Sequence, residues 1–319
     1  MMSEFITIGE PLVIFASKNK DKSLVDSNDF HKVMGGAELN VAVGVSRLGH
    51  TAQYISQVGS DPFGKYIKKT ILSHNIGVDY LYEDPNHFTG YQLKQLVSHG
   101  DPSTFNYRKN SAACYLNKDV VNKIDLSNVK IAHMSGIFPA ISDIAEETFK
   151  NLFSNLIRNN IVTTFDPNLR PPLWSSQDKM ISTINELANY AQIVLPGIEE
   201  GKILVGTKDP ERIADFYLKS KHTKVVIVKI GAKGAFVKKD NGDKYTVNGF
   251  HVKNVVDTVG AGDGFALGVI TALLEGQSLK RAVIRGNAIG ALQVQTPGDN
   301  DGYPTQEQLK NFYKKEGIL

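Results

Sequence analysis

Short apolar runs alternate with stretches whose apolar residues recur at helical spacing, and this alternation limits the fold more than any other feature of the chain. FITI at 5–8, the run at 53–58, IAHMSGIF at 131–138 and the runs at 161–165, 191–195 and 223–230 read as strands of a buried sheet. NIGVDYLY at 75–82 offers one more strand, and 235–238 with 244–247 suggest a hairpin turning at Asn241 and Gly242. Helical spacing occupies 34–49, 65–74, 142–159, 267–275, 279–294 and 306–315, with an apolar stripe of Leu39, Val41, Ala42, Val45 and Leu48 in the first of these. The result is an α/β fold, a mainly parallel sheet flanked by helices.

Two segments break the rhythm. Residues 12–33 carry apolar patches among Lys, Asp, Ser and Asn, and 89–111 read as two strands joined across a polar break at 99–103. Together they are expected to form a small β-sheet lid lying outside the core, which then comprises 1–11, 34–88 and 112–319. With 36 Lys+Arg dispersed against 33 Asp+Glu, a nucleic-acid or membrane-surface partner is disfavoured. Cys114 is the single cysteine, so neither an intrachain disulfide nor a multi-Cys metal site can form, which suits a cytoplasmic protein. The start MMSEFITIGE lacks the basic and long apolar regions of a secretion signal, and no run approaches membrane-spanning length.

Three loops suggest a phosphate-bearing ligand: GGAELN at 35–40, KIGAKG at 229–234 and GAGD at 260–263. In DTVGAGDGF at 257–265, Gly260 and Gly262 let the backbone close on an anion, and an apolar helix at 265–274 follows behind them. Asp263 sits poorly beside phosphates unless it works as a base; the alternative is a Gly-rich turn with Asp263 as an ordinary N-cap. In DPNLRPPLW at 166–174, Pro167, Pro171 and Pro172 prevent a helix and hold Asn168 and Arg170 in a stiff loop at a strand's carboxyl end. Neither GxxxxGK[ST] nor GxGxxG is present, so the site would transfer phosphoryl groups by another arrangement.

These motifs, in this order and over essentially the whole chain, resemble the ribokinase-like family of sugar kinases. GEPLV, YRKNSAA at 107–113 and DPNLRPPLW lie nearest the 2-keto-3-deoxygluconate kinases, with fructokinases next. The resemblance implies ATP and Mg²⁺ as cosubstrates, room for a monovalent cation, and in-line transfer to the 6-hydroxyl of an acidic sugar. It makes Asp263 the base and the amides of Gly260, Ala261 and Gly262 the anion hole. Asn168, Lys229, Gly231, Gly234 and Asn287 would approach ATP, together with Gly260 and Gly262. Gly35, Gly36 and Asn40 would hold sugar hydroxyls, Tyr91 and Tyr107 would close over the sugar, and Arg108 and Arg170 would meet its carboxylate. The family often carries NxxE where this chain has Gly197, Ile198, Glu199 and Glu200, so Glu200 keeps an indirect metal role without its usual Asn. Asn106 replaces a tyrosine usual before YR. Subunits of the family commonly pair through the lid, which implies a homo-oligomer. A neutral-sugar kinase and a non-catalytic sugar-binding regulator are the alternative readings.

Overall fold

The structure is a computed structural model that describes residues 3–98 and 102–318. In chain order β1 (Phe5–Ile8), β2 (Leu12–Ser17) and β3 (Phe30–Gly35) precede α1 (Ala37–Arg47), β4 (Ala52–Gly59) and α2 (Pro62–Ser73). Next come β5 (Leu81–Asp84), β6 (Tyr91–Lys94), β7 (Thr104–Tyr107) and the short α3 (Lys118–Val121). The central part runs β8 (Ile131–Ser135), α4 (Asp143–Arg158), β9 (Val162–Asp166), α5 (Gln177–Ala188), β10 (Ile193–Val194), α6 (Ile198–Leu204), α7 (Pro210–Tyr217) and β11 (Val225–Lys229). The chain closes with β12 (Ala235–Lys239), β13 (Lys244–Val247), α8 (Ala261–Leu274), α9 (Leu279–Gln293) and α10 (Gln306–Lys315).

The main sheet has the order β13-β12-β11-β10-β9-β8-β1-β4-β5. It is parallel from β11 to β5, and the hairpin β12–β13 extends it antiparallel. Helices cover both faces, which is why β1 and β8 are buried along their whole length and read as continuous apolar runs. From β1 the chain leaves toward β4 and β5 and later returns on the other side through β8 to β11. That reversal opens a crevice at the carboxyl ends of β1 and β8, the usual ligand position in such sheets.

Local chemistry sets the helix starts. Asp61 accepts the amides of Phe63 and Gly64 ahead of Pro62 at the head of α2, and Ser142 accepts the amide of Ala145 in α4. Phe149 and Phe153 of α4 pack against Phe165 of β9, and each such burial contributes roughly 1.5–3 kcal/mol. In place of the expected stripe, α1 buries every residue from Glu38 to Val45, because it lies between the sheet and α8.

The small sheet has the order β3-β2-β6-β7, with β2 and β6 parallel and the outer pairs antiparallel. Its strands alternate in character, as the pleat demands. Leu12, Ile14, Gln92, Lys94, Thr104 and Asn106 face the crevice. Phe15, Tyr91, Phe105 and Tyr107 form an aromatic outer face with Phe63 of α2. Leu12, Val13 and Ile14 are buried rather than outside the core, since they line the join between the two sheets. Residues 99–101 of the polar break lie outside the described residues.

Other expectations shift by a few residues. The strand at 75–82 begins only at Leu81, after a turn in which Asn75 takes φ 57°. The run at 131–138 stops as a strand at Ser135, and Pro139 lies in a single 3₁₀ turn that follows. The proline loop also contains a 3₁₀ turn, Pro171–Leu173, which the proline φ angle permits. The apolar pattern assigns no helix to α5, α6 or α7, each of which is short and polar on its outer side.

Candidate active site

Two cavities open along the crevice. The first, of about 560 Å³, lies between the inner face of the small sheet and the carboxyl ends of β1, β9 and β11. The second, of about 620 Å³, lies between the β11–β12 turn and helices α8 and α9. Lys229, Thr258 and Gly262 line both, so the cavities meet at the head of α8.

That helix starts at Ala261, four residues earlier than expected, which places Asp263 inside its first turn. Gly260 is the residue that caps it, with φ 77°, so Asp263 is not an N-cap. A Cβ at Gly260 would lie 1.9 Å from the carbonyl oxygen of Asp299, and only glycine fits there. The amide of Ala261 donates to the Thr258 carbonyl at 3.3 Å, which leaves Gly260 and Gly262 as the members of the expected trio not drawn into that turn.

Asn40 donates to Asp263 Oδ2 at 3.0 Å, and Asn168 to Oδ1 at 3.4 Å. Asn300 in turn donates to Asn40 Oδ1 at 2.9 Å, which fixes the amide's orientation. Burial pushes the Asp263 carboxyl up to about 6; the Asn40 hydrogen bond opposes the shift, Asp166 adds to it, and Arg170 and Lys229 oppose it. A carboxylate poised near neutrality and aimed into a cavity is suited to accepting a proton.

Around it several charges are paired. Lys229 donates to Asp166 Oδ2 at 2.5 Å, and nearby Asp166, Glu200 and Asp263 keep its ammonium protonated against burial. Glu200 accepts the amides of Leu169 at 3.1 Å and Gly197 at 2.7 Å, tying the proline loop to the start of α6. Burial raises its pKa, with Lys229 opposing. Arg108 donates from Nε to Glu10 Oε2 at 2.6 Å, and Ser111 donates to Glu10 Oε1 at 2.5 Å. Arg170 is exposed at the rim and, among the described residues, donates to its neighbour's carbonyl alone, that of Leu169, at 2.9 Å. Lys94 crosses from β6 to Asp299 at 3.0 Å and Asp257 at 3.8 Å.

The second cavity is lined largely by small and apolar residues. Gly231, Gly234, Phe250, Gly286, Asn287 and Ala291 line it, and Gly231 has open space where a Cβ would stand. Asn287 donates to the carbonyls of Val247 and Asn248, which pins the strand end over the cavity. A model described as the pfkB family carbohydrate kinase matches residues 2–306. The chain belongs to this family. It is 42% identical over 314 residues to a 2-dehydro-3-deoxygluconokinase of Bacillus subtilis (strain 168), covering 98% of this chain and 96% of that one. A PfkB protein from Polaromonas sp. JS666 superposes with TM-score 0.87 at 38% identity, over 97% of this chain and 99% of the other. A candidate ribokinase II from E. coli, in complex with ATP and Mg²⁺, gives TM-score 0.87 at 26% identity over 98% and 99%. The protein is therefore a carbohydrate kinase, a phosphotransferase acting on an alcohol.

Within this kinase the expected residues divide. Gly36, Asn40, Arg108, Arg170 and Asp263 line the first cavity, as does Asn168, which was expected beside the nucleotide but stands against Asp263 instead. Lys229, Gly231, Gly234, Gly262 and Asn287 line the second. Gly35 ends β3, where an added Cβ would meet the Ile14 side chain, and it is not among the residues lining either cavity. Tyr91 and Tyr107 point to the outer face, where they stack at 4.7 Å, because the strand register puts their neighbours Gln92 and Asn106 inward. Glu10, Glu38, Gln92, Lys94 and Asp299 also line the first cavity. The alternation in YQLK and TFNY was the available signal for Gln92, Lys94 and Asn106.

The donors present do not make a protein cage for a metal. Among the described residues no three acidic, His or Cys side chains converge on a point, Asp166 is engaged by Lys229, and both Glu200 oxygens take backbone amides. Such a site fits Mg²⁺ carried on nucleotide phosphates.

Proposed function

We propose that this carbohydrate kinase transfers the γ-phosphoryl group of ATP to the 6-hydroxyl of 2-keto-3-deoxygluconate in the cytoplasm. The carrying observation is the Asp263 carboxylate at the neck where a nucleotide cavity meets a cavity walled by Arg108 and Arg170. Asp263 accepts the hydroxyl proton as the sugar oxygen bonds to the γ-phosphorus, and the bond from that phosphorus to the bridging oxygen breaks to leave ADP. Amides at the head of α8 hold the transferring group's charge, and nucleotide-borne Mg²⁺ supplies the rest of the neutralisation. Asn40 and Asn168 orient the carboxylate. Arg170 binds the sugar's carboxylate, and Arg108 assists from a guanidinium already balanced by Glu10.

That Arg108–Glu10 pair favours a second reading, a neutral-ketose kinase, since among the described residues it leaves Arg170 as the guanidinium of the cavity wall without a direct ion pair. A coupled ADP-release assay over sugars and sugar acids separates the readings. The sugar acid should exceed fructose in kcat/KM by about a hundredfold or more, and parity would remove the acidic acceptor. Binding across the panel without turnover would instead support a regulator. Repeating the assay in potassium, sodium and tetramethylammonium salts reads any monovalent-cation requirement. The aromatic outer face, with Phe105 57% and Tyr107 43% exposed, supports pairing of two copies through the lid. Phe105→Glu should then lower the sedimenting mass, and an unchanged mass removes this interface.

A further inference from the structure

Helix α1 enters beside the first cavity and carries Glu38 in its opening turn. The side chain lines that cavity, yet the residue is only 1% exposed, and Oε1 is buried with no hydrogen-bond partner among the described residues. Native proteins seldom leave such an atom unsatisfied. The neighbouring carboxyl on the same wall, Glu10, makes the contrast, because Arg108 and Ser111 engage both of its oxygens.

Two further facts bear on the unpaired oxygen. Glu38 interacts electrostatically with Asp263 and with Arg108, which line the same cavity, and with the buried Tyr54. It lines no part of the nucleotide cavity. Burial pushes its carboxyl up to about 8; its own backbone amide, Arg108 and the Ser135 hydroxyl act against the shift, and Asp263 adds to it. At neutral pH the group is therefore a carboxylic acid, able both to donate and to accept.

We infer that Glu38 is a specificity-determining residue of the sugar site, its carboxyl hydrogen-bonding an oxygen midway along the acceptor, between the arginine-bound end and the phosphorylated end. This rests on reading the acceptor as a sugar acid held lengthwise between Asp263 and the wall that carries Arg108 and Arg170. A hydroxyl or keto oxygen at that position satisfies Oε1, and an acceptor lacking it leaves a buried polar atom unpaired.

The test is steady-state kinetics of Glu38→Met, which keeps the length and removes the polar atoms, and Glu38→Gln, which keeps a donor and an acceptor. The acceptor is whichever compound of the panel the parent enzyme turns over best. In Glu38→Met its KM should rise about 10- to 100-fold, the size expected for an unpaired buried group, with kcat, the KM for ATP and the melting temperature close to the parent's. Glu38→Gln should stay within about threefold of the parent. An unchanged acceptor KM in Glu38→Met, as an internal water on Oε1 would give, overturns the inference, and so does an equal rise in both KM values. Should Glu38→Met fail to melt cooperatively, the parent's discrimination decides. At least one acceptor analogue missing a single mid-chain oxygen should lose about 10- to 100-fold in kcat/KM, and no loss with any analogue overturns the role. A panel won by a neutral sugar refutes the sugar-acid reading by itself, while the KM comparison still decides Glu38.

Discussion

Replacing Asp263 with Asn should move activity and stability in opposite directions. Holding this carboxyl near 6 rather than 3.8 means that ionising it in the native state costs up to about 3 kcal/mol at pH 7, a ceiling that solvent in the open cavity lowers. Asn removes that cost. It also offers one acceptor where Asp offers two, so Asn40 or Asn168 is left facing an NH₂ group, at a loss of about 1 kcal/mol. The net expectation is a gain of about 1 kcal/mol in urea denaturation at pH 7, beside a fall in kcat of about two to four orders of magnitude. The sign with pH follows from proton binding. Between about 4 and 6 the native state holds the Asp263 proton and the unfolded chain does not, so this group's contribution to stability falls as pH rises through that window and is flat above it. The variant should lack that decline. Parent kcat/KM, which reports the free enzyme, should by contrast fall on the acid side with an apparent pKa near 6. Turnover near the parent's, or identical stability-against-pH curves, would refute the assignment of Asp263 as a destabilised base.

Arg170→Leu should raise KM for a sugar acid by about tenfold or more and leave fructose almost unaffected, because an exposed guanidinium that, among the described residues, donates to a backbone carbonyl alone has its charge to spend on a ligand; equal effects in the ADP-release assay would end the carboxylate role. Gly260→Ala meets both a positive φ, costing about 1–2 kcal/mol, and a backbone carbonyl 1.9 Å from the new Cβ, so kcat should drop with a measurable loss in melting temperature. Lys229→Met strands Asp166, whose side chain is 3% exposed, and should cost about 3–5 kcal/mol in urea denaturation. The double variant with Asp166→Asn should recover most of that stability and none of the ATP affinity.

The parallel sheet was legible because strands covered on both faces, such as FITI, cannot hide their composition, and the hairpin at Asn241 and Gly242 because the turn chemistry is local. Helices α5 to α7 were not, since each buries a narrow face, such as Ile213, Ala214 and Tyr217 in α7, within an otherwise charged stretch. In the site, the glycine-bearing loops were legible, and they do line the two cavities. Lid side chains were harder: choosing Tyr91 over Gln92 by residue type, instead of by register, moves the side chain to the opposite face. The Arg108–Glu10 and Lys229–Asp166 pairs span 98 and 63 residues of sequence, so nothing nearby signals that those charges are already balanced.

Lys94 has a consequence for anyone who would change what this kinase phosphorylates by exchanging its lid strands. Its ammonium reaches from β6 to Asp299, whose carbonyl oxygen sits against Gly260 at the head of α8. A grafted strand that matched the new sugar but carried an apolar residue at this position would leave two carboxylates, Asp257 and Asp299, facing each other across the join with their shared cation gone. The small sheet is therefore not a freely exchangeable module: position 94 travels with Asp257, Asp299 and the head of α8, while its inward neighbours Gln92 and Asn106 can travel with the sheet.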